Sequence, residues 1–163
     1  MAELWDAYDK TWNKIEGLTL VRDEAIPDGI YHLVCDVAVK HRDGSYLLMQ
    51  RDSNKHYGGM WELSAGGSAL KGETAFDCAL RELREETGIT ASNLDEIGRV
   101  VQDAKHCLFV ECLCVTGCQK DAIVLQEGEM IDYRWVDRSS LLQMREQELV
   151  SARMMKFICE LNL

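Results

Sequence analysis

Three glutamates, Glu82, Glu85 and Glu86, stand at a spacing that brings side chains onto one arc of a helix. At about 100° per residue, Glu85 falls roughly 60° to one side of Glu82, and Glu86 roughly 40° to the other. Like charges so placed repel, at a cost of about a few tenths of a kcal/mol each, and Arg81 and Arg84 offset only part of it. Crowded hard oxygen ligands suit a hard divalent cation, Mg²⁺ or Mn²⁺. Alone, the three glutamates equally describe a solvated acidic face. Upstream, the polar run from Arg51 to Gly59 holds Arg51, Lys55 and His56, three of the few basic side chains. A guanidinium fork matches phosphate oxygens, while the bland alternative is a solvated loop.

The elements that must position these groups can be read around them. A helix is predicted from about Glu73 to Thr87, with Ala75, Phe76, Ala79, Leu80 and Leu83 as its apolar stripe. Thr74 with Asp77 reads as its cap and Gly88 as its left-handed stop. Gly66, Gly67 and Gly72 make the preceding segment a glycine-rich loop. Toward the N-terminus, Leu4 to Asp9 and Leu18 to Val21 read as a hairpin turning at Asn13 to Gly17. Strands follow at His32 to Val39, Tyr46 to Gln50 and Met60 to Leu63, then at Ile97 to Val101, His106 to Val115 and Tyr133 to Val136. Residues 138–146 and 149–161 read as helices, the second with Leu149, Ala152, Met155, Phe157 and Ile158 inward. Short strands around one central helix, with helices at the end, predict an α/β sandwich in one domain spanning 1–163.

Composition narrows the function classes. With 163 residues and 47% apolar content the chain can build a real core. No apolar run reaches bilayer-spanning length, and the N-terminus, Met-Ala-Glu-Leu-Trp-Asp, is acidic without a signal-peptide pattern, which predicts a soluble, cytoplasmic chain that leaves membranes alone. The net charge of −10 argues against a nucleic-acid polymer as partner, but not against a small phosphorylated molecule, because bound metal reverses the local sign. Seven cysteines without a framework spacing read as free thiols. The cluster Cys107, Cys112, Cys114 and Cys118 reads as strand and core cysteines rather than a zinc knuckle.

The full spacing from Gly67 to Ile89 is G-x5-E-x7-R-E-U-x-E-E-x-G-U, where U is apolar. This resembles the signature of the Nudix hydrolase family with every fixed position filled. At an average usage of about 6% per identity, seven fixed identities match by chance roughly a few times in a billion starts. The resemblance implies a mixed sheet between helical layers, with residues 1–30 as an N-terminal extension. It implies hydrolysis of a diphosphate in a nucleoside diphosphate linked to another moiety, X, with Mg²⁺ or Mn²⁺ as cofactor. It makes Glu82, Glu85 and Glu86 metal ligands, with the Gly67 carbonyl as a further one. Glu73 and Arg81 would support the loop and helix, and Arg51, Lys55 and His56 would meet the substrate. A further catalytic carboxylate is expected in the loop before the last tryptophan strand, Glu129 in preference to Glu127; Glu82 or Glu129 would serve as general base.

A second likeness pulls elsewhere. Leu4-Trp-Asp-Ala-Tyr-Asp, Gly29-Ile-Tyr-His32, Gln50-Arg51 and Met60-Trp61 resemble the Nudix branch similar to isopentenyl-diphosphate isomerase, where His32 matches a metal ligand. The isomerases carry a catalytic cysteine and a histidine just after the tryptophan strand; here that run is Trp61-Glu-Leu-Ser-Ala-Gly-Gly67, with neither. The alternatives to hydrolysis are thus an isomerase-like enzyme or a non-catalytic binding module of the same fold. The N-terminal hairpin offers a surface for a homodimer.

Overall fold

The strand β3, His32–His41, is apolar on both faces because both faces are covered. The computed structural model describes residues 1–145 and 147–163. In it β3 lies at the centre of a mixed sheet. It runs parallel to β8, Cys107–Thr116, over ten residue pairs from His32↔Cys107 to His41↔Thr116. Beyond β8 lies β7, Asp95–Gln102, antiparallel to it. On the other side β3 meets β4, Tyr46–Arg51, which pairs with both β5, Trp61–Leu63, and β9, Met130–Val136. A short strand β6, Ala65–Ser68, pairs with the first half of β3. Strand alternation sends Leu33, Cys35, Val37 and Val39 to one face, with Leu108, Val110, Cys112 and Cys114 from β8. There they pack on Cys78, Ala79 and Leu83 of α1, Ala75–Thr87. The opposite face presents Ala38, Tyr46, Leu48 and Leu113 to Leu141 of α2, Arg138–Leu142, and to Met154 and Ile158 of α3, Ala152–Leu161. The sandwich predicted from sequence is present.

The expected N-terminal hairpin forms from β1, Leu4–Tyr8, and β2, Lys14–Val21, but its turn is at Asp9 to Asn13 rather than Asn13 to Gly17. The reason is local: the Asp9 carboxylate accepts from the backbone N–H of Thr11 at 2.8 Å and of Asn13 at 3.1 Å, closing the turn early. The hairpin is pinned to the glycine loop. Asp6 accepts from the Gly72 N–H at 2.8 Å, and the Lys71 N–H donates to the Leu4 carbonyl at 2.8 Å.

Two C-terminal expectations also shift. The helix read over 138–146 stops at Leu142, and Glu146 lies outside the described residues. The second helix begins at Ala152, not at 149, because the edge of β5 captures that segment: Trp61 N–H donates to the Glu148 carbonyl and Val150 N–H to the Trp61 carbonyl, both at 2.8 Å. Inward on α3 are Met154 and Ile158, while Phe157 covers Gly98, where an added Cβ would come within 2.1 Å of the ring. On α1, Phe76 of the expected stripe is 41% exposed, and Cys78 takes a fully buried place instead. All seven cysteines are free, and Cys107, Cys112 and Cys114 are buried in the strand as expected. No helix among the described residues is long and apolar enough to cross a membrane.

Candidate active site

The turn into α1 sets the first side chains. Thr74 caps the helix by accepting from the Asp77 N–H at 3.1 Å, and Gly88 closes it with φ 78°. Glu73 accepts from the Leu70 N–H at 2.8 Å and so ties the glycine loop to the helix start. Arg81, one face of α1 away, grips it bidentately, Nε to Oε1 at 2.6 Å and a terminal nitrogen to Oε2 at 3.0 Å. The same guanidinium donates to the Ser68 carbonyl at 3.2 Å, to Glu82 at 2.7 Å and to Glu85 at 3.3 Å. Glu82 lies flat against Gly67: a Cβ there would sit 2.3 Å from its Oε1. A larger residue there would push the Glu82 carboxylate out of this position.

Glu86 is the misfit. It is 4% exposed, and its Oε2 is buried without a hydrogen-bond partner. Burial, then the charges of Glu62 and Glu82, push its pKa well above the usual carboxylate range; Lys55 and the Gly66 N–H oppose this only in part. Glu82 is raised as well, chiefly by burial, against the pull of Arg81. Such a cluster is costly unless a cation joins it. Among the described residues, no three His, Cys, Asp or Glu side chains already converge as a cage. Glu82 and Glu85 turn to Arg81, and Glu129 pairs with Lys55. The donor set nevertheless fits a hard divalent cation. It is all oxygen, it is under-neutralised, and the unpartnered Oε2 belongs to a residue that lines an open cleft.

That cleft, of about 390 Å³, is lined by Gly67, Glu82, Glu85, Glu86 and Arg81, with Arg51, Lys55 and Glu129 opposite. Arg51 is held by Glu62 of β5 and by the His56 carbonyl at 2.8 Å. The Asp52 N–H donates to the Glu129 carbonyl at 2.9 Å, joining the Arg51 loop to the Glu129 loop. Burial, then the neighbouring Arg51 charge, lowers the Lys55 pKa. The structure therefore gathers most of the sequence-predicted residues at one cleft; Glu73 stands behind it on Arg81, and His56, Glu127 and His32 are not in its lining. His56 turns its ring onto Tyr57, centroids 4.0 Å apart, and only its carbonyl serves the site. Glu127 is exposed and outside the lining. The sequence reading missed Glu62, and it missed the hairpin's contribution: Glu3, Trp5 and Arg22 form the outer wall. Glu62 had a signal, since it is the one charged residue in a three-residue strand beside Arg51; the hairpin residues had none.

His32 stays outside the cleft. Its ring stacks on Trp5 at 4.0 Å and 10°, Nε2 is 3.1 Å from the Cys107 thiol, and Nδ1 is buried without a partner. Burial, then the nearby His106, lowers its pKa to about 4. In the unfolded chain the imidazole takes its proton near pH 6.5. Between pH 6.5 and about 4 the unfolded state therefore binds more protons, and stability is lost as the pH falls. At 1.36 kcal/mol per unit, the loss is about 3 kcal/mol over that window. Urea unfolding from pH 7 to 4 should show this slope in the wild-type protein and a shallower one in His32→Gln.

A family model described as NUDIX domain matches residues 30–158. An uncharacterised Nudix hydrolase of Listeria monocytogenes is 33% identical over 147 residues, covering 88% of this chain and 85% of the relative. An isopentenyl-diphosphate Delta-isomerase of Corynebacterium diphtheriae is 28% identical over 141 residues, covering 80% and 77%. Among solved structures, the NUDIX domain of NrtR from Shewanella oneidensis, complexed with ADP ribose, superposes with a TM-score of 0.64 at 21% identity, covering 82% of this chain and 89% of that one. The N-terminal hairpin lies ahead of the segment that the family model matches.

Proposed function

We propose a reaction from one premise: the chain belongs to the Nudix family and is a Nudix pyrophosphohydrolase. The reaction is hydrolysis of the diphosphate linkage in a nucleoside diphosphate joined to a further group X, with Mg²⁺ or Mn²⁺ as cofactor. The observation that carries it is the unpartnered Oε2 of the buried Glu86 carboxylate, beside Glu82 and Glu85 in one cleft with Arg51 and Lys55. Glu82, Glu85, Glu86 and the Gly67 carbonyl would hold the cation. When bound, it would neutralise phosphoryl oxygens and lower the pKa of an attacking water. Arg51 and Lys55 would orient the diphosphate, the first by its fork and the second as a point charge. Glu82 or Glu129 would accept the proton of the water. Glu73 and Arg81 would hold the glycine loop at the distance these contacts need.

The likeness to an isomerase supports the alternative reaction, but the site argues against it. In the run 62–68 there is neither thiol nor imidazole. Ser64 there is fully buried, accepting from the Val39 N–H and donating to the Leu47 carbonyl, each at 2.8 Å. A side chain at Gly66 would start 2.0 Å from an oxygen of Asp36. The test is product release from a panel of nucleoside di- and triphosphates, nucleotide sugars, dinucleoside polyphosphates and isopentenyl diphosphate, with and without Mg²⁺ or Mn²⁺. Metal-dependent release of phosphate or nucleotide is the expected result. Isomerisation of isopentenyl diphosphate without hydrolysis of any member would overturn it.

A further inference from the structure

The start of α3 forgoes its own cap. Ser151 holds the N-cap position, where a serine ordinarily accepts from an N–H of the first helical turn, but it makes no such bond. Its hydroxyl instead accepts from the Leu63 N–H of β5 at 3.0 Å, in a buried place. Two residues on, Arg153 donates to Glu111 at 2.8 Å, pairs with Asp36, and lies over the Phe109 ring, 3.7 Å from guanidinium carbon to ring centre. Glu111 is fully buried, and its Oε2 has no hydrogen-bond partner among the described residues. Burial raises its pKa to about 8 and lowers that of Arg153 to about 10. One guanidinium thus serves two carboxylates in the interior. Apolar side chains of the same volume would hold α3 to the sheet as well or better. The triad fixes a geometry, at a cost in stability.

Both contacts land beside one kink. β5 pairs with β4 and β6 with β3, and the chain changes partner at Ser64, a buried non-glycine residue at φ 72°. Left-handed backbone at such a residue persists only where its surroundings enforce it. Ahead of the kink, the Glu148 carbonyl, the Val150 N–H and the Ser151 hydroxyl grip Trp61 and Leu63. Beyond it, Asp36 faces Gly66 in the β3–β6 register, so closely that a Cβ on Gly66 would sit 2.0 Å from its Oδ1. Both arms of the kink lead to the catalytic cleft. Glu62, between Trp61 and Leu63, pairs with Arg51. The Gly66 N–H donates to Glu86, and Gly66 and Gly67 line the cleft.

We propose that Ser151 and Arg153 are positioning residues for the reaction: the segment 148–153 clamps the Ser64 kink and so sets where Arg51 and the Gly66–Gly67 backbone stand in the cleft. The link to turnover rests on the diphosphatase reading of that cleft; the clamp on the backbone does not. Neither side chain lines the cleft, so each acts only through β5 and β6.

The test uses the full-length protein and three variants. Ser151→Ala removes the acceptor for Leu63. Arg153→Met with Glu111→Gln removes the guanidinium together with one buried charge, so that the chain still folds. Ile158→Ala is the control: Ile158 is fully buried under α3, and its loss loosens the helix through packing alone. Amide hydrogen exchange in metal-free protein reads the clamp. Relative to the Val110 amide, the Gly66 amide should exchange faster in the Arg153 variant and the Arg51 amide faster in Ser151→Ala, with neither ratio moving in Ile158→Ala. Mn²⁺ binding, followed by the electron spin resonance signal of the free ion, should weaken about tenfold in the Arg153 variant. Arg153→Lys in the same Glu111→Gln background keeps the charge without the fork and should recover part of that affinity. On a hydrolysed diphosphate, kcat should fall in the Arg153 variant, whereas Ser151→Ala should chiefly raise KM, because it loosens Glu62 and Arg51. Unchanged exchange at Gly66 and Arg51 would overturn the clamp. Exchange that moves while Mn²⁺ affinity and kinetics stay at wild-type values, or fall equally in Ile158→Ala, would overturn the positioning role. A wild-type protein that neither binds Mn²⁺ nor hydrolyses any diphosphate would overturn the diphosphatase reading instead, with the clamp still decided by exchange.

Discussion

Glu85→Gln combined with Glu86→Gln should lower metal-dependent diphosphate hydrolysis by about a thousandfold while leaving the fold intact. A bound divalent cation contributes several kcal/mol of charge stabilisation in such a reaction, and about 4 kcal/mol corresponds to three decades in rate. Both positions line the cleft, and glutamine keeps the shape of glutamate while surrendering the charge that draws a cation. The stability prediction runs the other way. Glu86 is buried beside Glu62 and Glu82, and its charged form is disfavoured there. Its folded-state pKa lies above the unfolded value, so the metal-free wild-type protein loses stability as pH rises through that interval. The double variant should be more stable than wild type in EDTA and should flatten that part of the pH profile. Turnover with Mg²⁺ and urea midpoints in EDTA, measured on the same preparations, check both halves. Unchanged turnover would remove Glu85 and Glu86 from the metal site.

Arg81→Met should be damaging in a different way. Methionine has similar length and fills the same space, so the loss is that of the guanidinium. Arg81 holds Glu73, Glu82 and Glu85 at once, and its side chain is only 19% exposed. Removing one partner of a buried pair costs about 3–5 kcal/mol; with partial exposure here, about 2–4 kcal/mol is expected. The cost should be larger in EDTA than in Mg²⁺, because a cation can neutralise Glu82 and Glu85 but cannot reach back to anchor Glu73. Activity should fall about 10- to 100-fold, the usual effect of losing a group that positions metal ligands. Arg81→Lys restores the charge without the fork and should recover stability better than activity. Chemical denaturation with and without metal, beside kcat measurements, separates these effects. Equal stability of Arg81→Met and wild type in EDTA would show that Arg81 does not hold the loop.

What could be read from the sequence follows from how local each feature is. Glu82, Glu85 and Glu86 lie on one helix, so their common arc is fixed by helical geometry alone. The cap at Thr74 and the stop at Gly88 are local too, and both form as read. Lys55 and Glu129 meet only because β4 pairs with β9, a contact across more than seventy residues that no spacing rule announces. The hairpin was legible, but its place against the glycine loop depends on Asp6 reaching Gly72. The boundary of α3 moved because β5 offered an edge to the residues before it, a tertiary preference that outweighs helical periodicity. One available signal went unread. Asp36 and Glu111 each interrupt an otherwise apolar strand, and charges in such places are paired or functional. They sit opposite each other on β3 and β8 and share Arg153.

The parallel pairing of β3 with β8 also governs the order in which the molecule assembles. His32 and Cys107, at the start of that pair, are 75 residues apart in the chain, and α1 lies wholly within the intervening segment. Closing so long a loop must precede the contacts that reward it, which makes central parallel pairings slow to form. Until that closure the helix that carries Glu82, Glu85 and Glu86 has only the β3 and β6 part of its sheet face to settle on, without Leu108, Val110 and Cys112 of β8. During synthesis, moreover, β8 leaves the ribosome after α1, and Glu129 later still. An emerging or partly folded chain thus holds its acidic helix on an incomplete sheet and without Glu129, and full competence to bind cation should arise late, together with the last cooperative step of folding.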